Sequence, residues 1–144
     1  MKILVINGPN LNMLGIREKD KYGSLKLDEI NDIIAEYTNK NNMEVSFFQS
    51  NYEGELIEAI QNNRSQYDYY VLNAGAYTHY SYAIRDAIAS IRTPVIEVHI
   101  TNIFQREEFR EKSVISPVCI GSISGFGYTS YLLAIDAVKK FKEG

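Results

Sequence analysis

Short apolar runs alternate along this chain with segments whose apolar residues recur every three or four positions. The apolar runs at 2–7, 69–73 and 95–100 predict three β-strands, and the segment 44–50, which alternates with Val45 and Phe47 on one face, predicts another. A fifth strand is predicted over 114–120, where Pro117 favours an edge or a bulge. Helices are predicted between and after the strands by apolar residues at helical spacing: Leu27, Ile30, Ile33, Ile34 and Tyr37; Leu56, Ile57 and Ile60; Ile84, Ala87, Ile88 and Ile91; Leu132, Leu133, Ile135, Val138 and Phe141.

This alternation predicts an α/β fold in which residues 1–144 form one domain. Five parallel strands with right-handed crossovers favour the order 2-1-3-4-5, a flavodoxin-like three-layer sandwich with helices on both faces of the sheet. In that order the topological switch lies between strands 1 and 3. Ligands in open α/β sheets bind at the carboxyl ends of such strands, so the functional site is expected there.

The connection at 7–23, which follows the first predicted strand, is much longer than a usual strand-to-helix turn. It contains Asn10, Asn12, Arg17 and Tyr22, which can donate or accept hydrogen bonds or carry charge. Its glycines would suit a disordered surface loop, but its apolar residues would not be needed in one. We therefore interpret it as an ordered loop that folds over a site. A phenol ionises near pH 10, so Tyr22 could act as a base only where a cation such as Arg17 favours the phenolate.

Glu97 and His99 stand two positions apart on the fourth predicted strand, so both side chains should point to the same face. A carboxylate fixes the tautomer of a neighbouring imidazole and raises its basicity, which is typical of a working histidine. The alternative is a structural pair in which each group satisfies the other.

Two further pairs have helical spacing. Arg106 and Arg110 are four apart in a short charged helix predicted around 105–112, so both could face one site; the alternative is a solvated helix with glutamate ion pairs. His79 and Asp86 are seven apart at the start of the third predicted helix, where a polar helix terminus is the alternative.

Composition narrows the function further. The net charge is −3 with dispersed cations, which argues against nucleic acid and leaves a small anionic ligand possible. No long apolar run or signal-like leader is recognised, and the single cysteine forms no internal disulfide, which together favour the cytoplasm. That cysteine, Cys119, has apolar neighbours, which favour a buried and inert thiol. With two histidines and no ligand-like spacing, we expect chemistry without metal or cofactor. The glycine-rich segment 121–127 matches no nucleotide motif and favours a tight strand-to-helix turn over an anion cradle.

Several separated blocks resemble those of the type II 3-dehydroquinases, in order and over essentially the whole chain. They are the run Asn-Gly-Pro-Asn-Leu-Asn-Met-Leu-Gly-Ile-Arg-Glu from residue 7, continuing to Tyr22-Gly23; residues 73–79; Glu-Val-His-Ile-Thr-Asn from residue 97; Arg-Glu-Glu-Phe-Arg from residue 106; and Ser116-Pro117 with Gly121. The resemblance implies dehydration of 3-dehydroquinate to 3-dehydroshikimate and water in the shikimate pathway, which leads to chorismate and aromatic amino acids, without a cofactor.

The resemblance also implies roles for individual residues. Tyr22, activated by Arg17, would remove the proton next to the ketone, and Asn10 would hold a water that stabilises the resulting enolate. His99, oriented by Glu97, would protonate the departing hydroxyl. The implied substrate-binding set is Asn73, His79 and Arg110 for the hydroxyls and ring, the backbone amides of Ile100 and Thr101 for the carboxylate, Arg106 as a supporting charge, and Asp86 in a neighbouring subunit's site. The family assembles as a homododecamer built from trimers.

The chain departs from the family pattern at three positions. Ala74 and Lys19 stand where proline is common, and Tyr80 replaces a smaller polar residue. An electron-transfer flavoprotein or a non-catalytic binding module would share the predicted fold. The Arg17–Tyr22 arrangement argues against the first, and the intact Tyr22, Arg17 and His99 argue against the second.

Overall fold

The computed structural model describes residues 1–16 and 18–144. Its strands are β1 (Lys2–Asn7), β2 (Glu44–Gln49), β3 (Tyr69–Asn73), β4 (Val95–His99) and β5 (Gly121–Ser124). Its α-helices are α1 (Lys19–Tyr22), α2 (Leu27–Lys40), α3 (Glu53–Asn62), α4 (Tyr82–Ala89) and α5 (Thr129–Glu143). Short 3₁₀ turns cover Leu11–Met13, Gly75–His79, Ile103–Gln105, Glu108–Arg110 and Ser116–Val118. None of the helices formed by these residues is long and apolar enough to cross a membrane.

The strands form one parallel sheet of order β2-β1-β3-β4-β5, which confirms the predicted flavodoxin-like topology. Alternate residues of the central strands point to opposite faces and enter two apolar clusters. Ile3 and Val5 of β1 pack with Ile34 of α2 and Ile135 of α5 on one face. Leu4 and Ile6 pack with residues of α3 and α4 on the other face, so the fold has three layers.

The fifth strand is not where the sequence pattern predicted it. Residues 114–120, predicted as a strand, instead contain the 3₁₀ turn Ser116–Val118, and β5 begins only at Gly121. Pro117 fits an early position of that turn, where its missing N–H costs nothing. Val114 and Ile115 are buried in the cluster beneath α3 and α4, which accounts for the apolar pattern that resembled a strand. The segment 121–127 is therefore not only a turn, because its first half is the edge strand.

The predicted charged helix over 105–112 is also wrong. Two separate 3₁₀ turns, Ile103–Gln105 and Glu108–Arg110, occupy this region. Similarly, His79 ends the turn Gly75–His79 and does not share a helix with Asp86, which lies in α4. In the loop after β1, Lys19 begins the single turn of α1, the helical position at which a proline fits best.

Candidate active site

A cavity of about 120 Å³ lies where β1, β3 and β4 end, at the predicted switch point. The loops that follow these strands supply most of its wall. The sequence-predicted site residues that line it are Asn10, Tyr22, Asn73, His79, His99, Ile100, Thr101, Arg106 and Arg110. Glu97 lies behind His99, and Asp86 is exposed on α4 away from the cavity. Arg17 lies outside the described residues.

His99 and Glu97 form a buried hydrogen-bonded pair at the end of β4. The His99 Nε2–H donates to Glu97 Oε2 at 2.6 Å, and the two side chains are 6% and 0% exposed. Burial opposes ionisation of Glu97, but hydrogen bonds from His99, Ser116 and Ser113 outweigh burial and lower the pKa of this carboxyl. An ionised Glu97 holds the proton of neutral His99 on Nε2, so Nδ1 is the nitrogen left to exchange a proton with a ligand.

His79 lies next to His99 with the two rings stacked, 6.3 Å between centroids and 20° between planes. The His79 Nδ1–H donates to the Lys112 carbonyl at 2.7 Å. Burial lowers the pKa of His79, and the charges of His99 and Arg110 act in the same direction. His79 is therefore held as the neutral imidazole, which presents Nε2 as a hydrogen-bond acceptor.

Tyr22 ends α1 and meets Arg106 from the far side of the cavity. Arg106 Nη1 donates to the phenol oxygen at 2.6 Å, and its guanidinium carbon lies 5.3 Å from the centre of the Tyr22 ring. Arg106 is largely buried, and its Nε has no hydrogen-bond partner within the described residues, although Glu107 lies 3.9 Å from it. The guanidinium of Arg106 therefore places a cationic N–H directly on the phenol oxygen of Tyr22. Arg106, which the family resemblance implies only as a supporting charge, thus contacts Tyr22 directly.

Asn73 is fixed from below by a residue that the sequence reasoning did not select. Its side-chain oxygen accepts from the Gly75 N–H at 3.2 Å, and its Nδ2 donates to the Tyr131 hydroxyl at 3.1 Å. Tyr131 in turn donates to Asn7 Oδ1 at 2.6 Å. Tyr131 lies one residue before the apolar positions that predicted the last helix, and only its hydroxyl hinted at a polar contact.

Two serines were also missed. Ser113 and Ser116 both donate to Glu97 Oε1, at 2.8 and 2.5 Å. Ser116 belongs to a block that carried the family resemblance, but nothing in the sequence placed Ser113 near the site. Ser116 lies within the segment 114–120 that was predicted as a strand, and Ser113 lies just before that segment.

A second cavity, of about 550 Å³, adjoins the first on the other side of the Tyr22–Arg106 contact. Tyr22, Ile100, Thr101 and Arg106 line both cavities, but neither histidine lines the larger one. Tyr22, His79 and His99 therefore converge on the smaller cavity. No group of three or more His, Cys, Asp or Glu side chains, within the part of the chain that the structure describes, could hold a metal ion.

The cavity thus combines a phenol under a guanidinium with a carboxylate-backed imidazole. Arg110, whose Nε donates to Glu107 at 2.6 Å, adds a second cation to the wall. Such a site can bind an anion, remove a proton with one group and deliver a proton with another.

Comparison with known proteins identifies relatives over nearly the whole chain. The family model described as dehydroquinase class II matches residues 1–139. A 3-dehydroquinate dehydratase from Caldicellulosiruptor saccharolyticus is 56% identical over 140 residues, which cover 96% of this chain and 97% of that protein. Among solved structures, a type II dehydroquinase from Butyrivibrio crossotus has 54% identity and a TM-score of 0.94, with 96% of this chain and 97% of that chain covered. One from Propionibacterium acnes has 39% identity and a TM-score of 0.92, with 95% and 94% covered.

Proposed function

The chain belongs to the class II dehydroquinase family, and from that premise we propose that it dehydrates 3-dehydroquinate to 3-dehydroshikimate and water, the shikimate-pathway step. The observation that carries this proposal is the convergence of Tyr22, held by Arg106, and His99, backed by Glu97, on one cavity. An elimination through an enolate needs a base for carbon and an acid for the leaving group. These two pairs supply one of each.

In the first step Tyr22 acts as the base. Its phenolate takes the proton from the carbon next to the ketone, and the electrons of that C–H bond move to the carbonyl oxygen to form an enolate. The 2.6 Å hydrogen bond from Arg106 supports this role, because it stabilises the phenolate before the proton is taken. Arg17 is proposed to add to this charge, and Asn10 to hold the water that stabilises the enolate oxygen.

In the second step His99 acts as the acid. The enolate electrons re-form the ketone, the carbon–carbon double bond forms, and the hydroxyl on the next carbon leaves as water after taking a proton from His99. The ionised Glu97 carboxylate stabilises the imidazolium before transfer and fixes its orientation. The proton gained by Tyr22 must return to solvent or to His99 before the next cycle.

The remaining residues of the cavity are proposed to hold the substrate. Asn73, neutral His79 and Arg110 suit its hydroxyls and ring, since they offer an amide, an acceptor nitrogen and a cation. The backbone amides of Ile100 and Thr101 would take its carboxylate at the end of β4.

The proposed assembly is a homododecamer built from trimers. Asp86 supports a shared site, because it is exposed on α4 and does not line the cavity of its own chain. Light scattering on the purified protein checks the assembly, and a monomer would remove the role proposed for Asp86.

The activity is tested by following the ultraviolet absorbance of the conjugated product after 3-dehydroquinate is added to purified protein. Tyr22→Phe and His99→Gln should each lower kcat by about 10²- to 10⁴-fold, the usual contribution of a general acid or base. Tyr69→Phe is the matched control, because Tyr69 begins β3 at the opposite end of the sheet from the cavity.

Three outcomes would contradict the proposal in different ways. Binding of 3-dehydroquinate with no absorbance rise would make the protein a non-catalytic binding module. Near-normal turnover by Tyr22→Phe would take the base role from Tyr22. An equal loss in Tyr69→Phe would show that the effect arises from a general disturbance of the fold.

A further inference from the structure

The Glu97 carboxylate is held by two hydroxyls on the oxygen that His99 does not use. Oε2 accepts from His99, whereas Oε1 accepts from Ser113 at 2.8 Å and from Ser116 at 2.5 Å. Glu97 itself is 0% exposed. Among the described residues, the side-chain hydrogen bonds of this buried carboxylate are therefore made to the proposed acid and to these two serines.

We propose that Ser113 and Ser116 are positioning residues for the dehydration, which fix the Glu97 carboxylate and through it the imidazole of His99. The kinetic test of this proposal rests on the proposed function, because it measures turnover of 3-dehydroquinate. The spectroscopic test rests on the geometry alone. Neither serine lines the cavity, so neither is expected to touch the substrate.

The residue type matters to this role. A buried carboxylate needs hydrogen-bond donors to remain ionised, and a neighbouring Lys or Arg would provide them. Such a cation would also cancel the negative charge that stabilises the imidazolium of His99. Two hydroxyls donate without adding charge, so the carboxylate keeps its full attraction for His99.

The serines belong to a segment, residues 112–116, that is itself held in place. The Ser116 N–H donates to Ser113 Oγ at 3.0 Å, which links the two serines. The Val114 N–H donates to the Thr78 carbonyl at 2.9 Å, and Arg85 Nη1 donates to the Val114 carbonyl at 3.0 Å. These bonds tie the segment to the turn after β3 and to α4.

The same segment also contacts the second histidine. The Lys112 carbonyl accepts the His79 Nδ1–H at 2.7 Å, one residue before Ser113. One short segment therefore sets the orientation of His79 directly and that of His99 through Glu97. The 6.3 Å stacking of the two rings depends on both arrangements.

The titratable groups that face Glu97 come from three elements. They are His99 on β4, His79 from the turn after β3, and Cys119 from the segment before β5. Burial and the charge of Glu97 raise the pKa of Cys119 to about 12, so this thiol is neutral at working pH. Glu97 is therefore the anion hydrogen-bonded to His99, while the cations Arg106 and Arg110 line the same cavity as His99.

The kinetic test compares Ser113→Ala, Ser116→Ala and the double variant with a matched control. Ser50→Ala is that control, because Ser50 Oγ donates to Glu55 at 2.8 Å and accepts from a backbone N–H at 3.0 Å, as Ser113 does with Glu97 and Ser116. Each single variant should lower kcat by about tenfold and the double variant by about 100-fold, as expected for lost hydrogen bonds to a charged group. KM should change by less than about threefold, since neither serine is expected to touch the substrate.

The pH profile separates positioning from a structural role. Loss of the two donors disfavours the Glu97 carboxylate, so the acidic limb of kcat should move to higher pH. A neutral Glu97 no longer stabilises the imidazolium, so the alkaline limb should move to lower pH. Ser50→Ala should leave both limbs in place, and Ser113→Thr, which keeps a hydroxyl, should restore the width of the profile.

The spectroscopic test uses the two histidines of the chain. In protein labelled with ¹⁵N-histidine only two rings give signals, and His79→Gln assigns them. The proton of neutral His99 should reside on Nε2 in the wild type and distribute over both nitrogens in the double variant. This measurement needs folded protein but no substrate.

The outcomes are distinct. A narrowed pH profile with a changed His99 tautomer supports the proposal. Unchanged His99 signals in the double variant overturn it, whatever happens to kcat. If the wild type has no dehydratase activity, the proposed function fails, and the tautomer measurement still decides whether the serines orient His99.

Discussion

Tyr131 offers the sharpest test of how the site is built, because it joins two buried asparagines that end neighbouring strands. Its hydroxyl donates to Asn7 Oδ1 at 2.6 Å and accepts from Asn73 Nδ2 at 3.1 Å. Asn7 and Asn73 are Cα partners in the β1–β3 ladder and are 1% and 3% exposed. Burial raises the pKa of Tyr131, so the phenol stays protonated and can donate.

Tyr131→Phe keeps the ring in the core and removes only the hydroxyl. It leaves one buried acceptor on Asn7 and one buried donor on Asn73 without their partner. Each such group costs about 1–3 kcal/mol, so the free energy of unfolding should fall by about 2–6 kcal/mol. That is a large share of the 5–15 kcal/mol that is typical of a folded domain.

Tyr70→Phe is the matched control. Tyr70 is also buried, and its hydroxyl donates to one backbone carbonyl, that of Ile60, at 2.9 Å. It lies away from the cavity, so its loss should cost about 1–2 kcal/mol and leave catalysis unchanged. Urea unfolding at one fixed protein concentration, followed by circular dichroism, gives both values, since the chain has no tryptophan for fluorescence.

The site adds a second measurement. If Tyr131 holds Asn73 in the orientation that grips the substrate, Tyr131→Phe should raise KM for 3-dehydroquinate while Tyr70→Phe leaves it unchanged. If Tyr131→Phe lowers the free energy of unfolding no more than Tyr70→Phe does, the cost assigned to the two unpaired asparagine groups is refuted. A normal KM would show that the Gly75 N–H, 3.2 Å from Asn73 Oδ1, orients the amide without Tyr131.

Three further predictions concern a thiol, a turn and the pH dependence of stability. Burial raises the pKa of Cys119 to about 12, so a disulfide reagent at pH 8 should modify the native protein far more slowly than urea-unfolded protein; equal rates would contradict this. Gly8→Ala would place a Cβ 2.6 Å from the Ala74 carbonyl oxygen and should lower the urea midpoint sharply, whereas Gly54→Ala, with open space in α3, should leave it equal or higher. Because burial lowers the pKa of His79 below its ordinary 6.5, the unfolded chain gains a proton first as pH falls. The free energy of unfolding should therefore decline below about pH 6.5, and His79→Gln should flatten that decline; an unchanged slope would contradict the assignment.

The central part of the fold could be predicted because its strands are buried on both faces. β1 and β3 contain continuous apolar runs, β4 is apolar except at Glu97 and His99, and the predicted bounds of β1 and β3 agree with the structure. The edge strand β5 reads Gly-Ser-Ile-Ser and pairs only with β4, so no apolar run marks it. The apolar segment just upstream includes Val114 and Ile115, which are buried under helices. The spacing of apolar residues alone cannot distinguish such a buried segment from a strand.

The position of the site followed from strand order, but its contacts did not. Asn73 and His99 end strands that are neighbours in the sheet, so their approach is a property of the topology. The contact between Tyr22 and Arg106 joins residues 84 positions apart on two loops, and nothing in either local pattern encodes it. Arg106 and Arg110 do line one cavity, although Arg106 directly follows one 3₁₀ turn and Arg110 ends another, so the two do not share a helix.

The same reasoning explains why the serines around Glu97 escaped notice. A carboxylate in the middle of a central strand is buried by its neighbours and cannot be solvated, so its donors must come from another part of the chain. Here they come from Ser113, just before the segment predicted as the fifth strand, and from Ser116 within it, on either side of the buried pair Val114 and Ile115. Val114 and Ile115 suggested a strand at this point, and a strand prediction gives no reason to place the flanking serines near Glu97. The wrong element and the missed positioning residues therefore have one physical cause: the apolar residues of the segment anchor it in the core so that its hydroxyls can reach a buried charge.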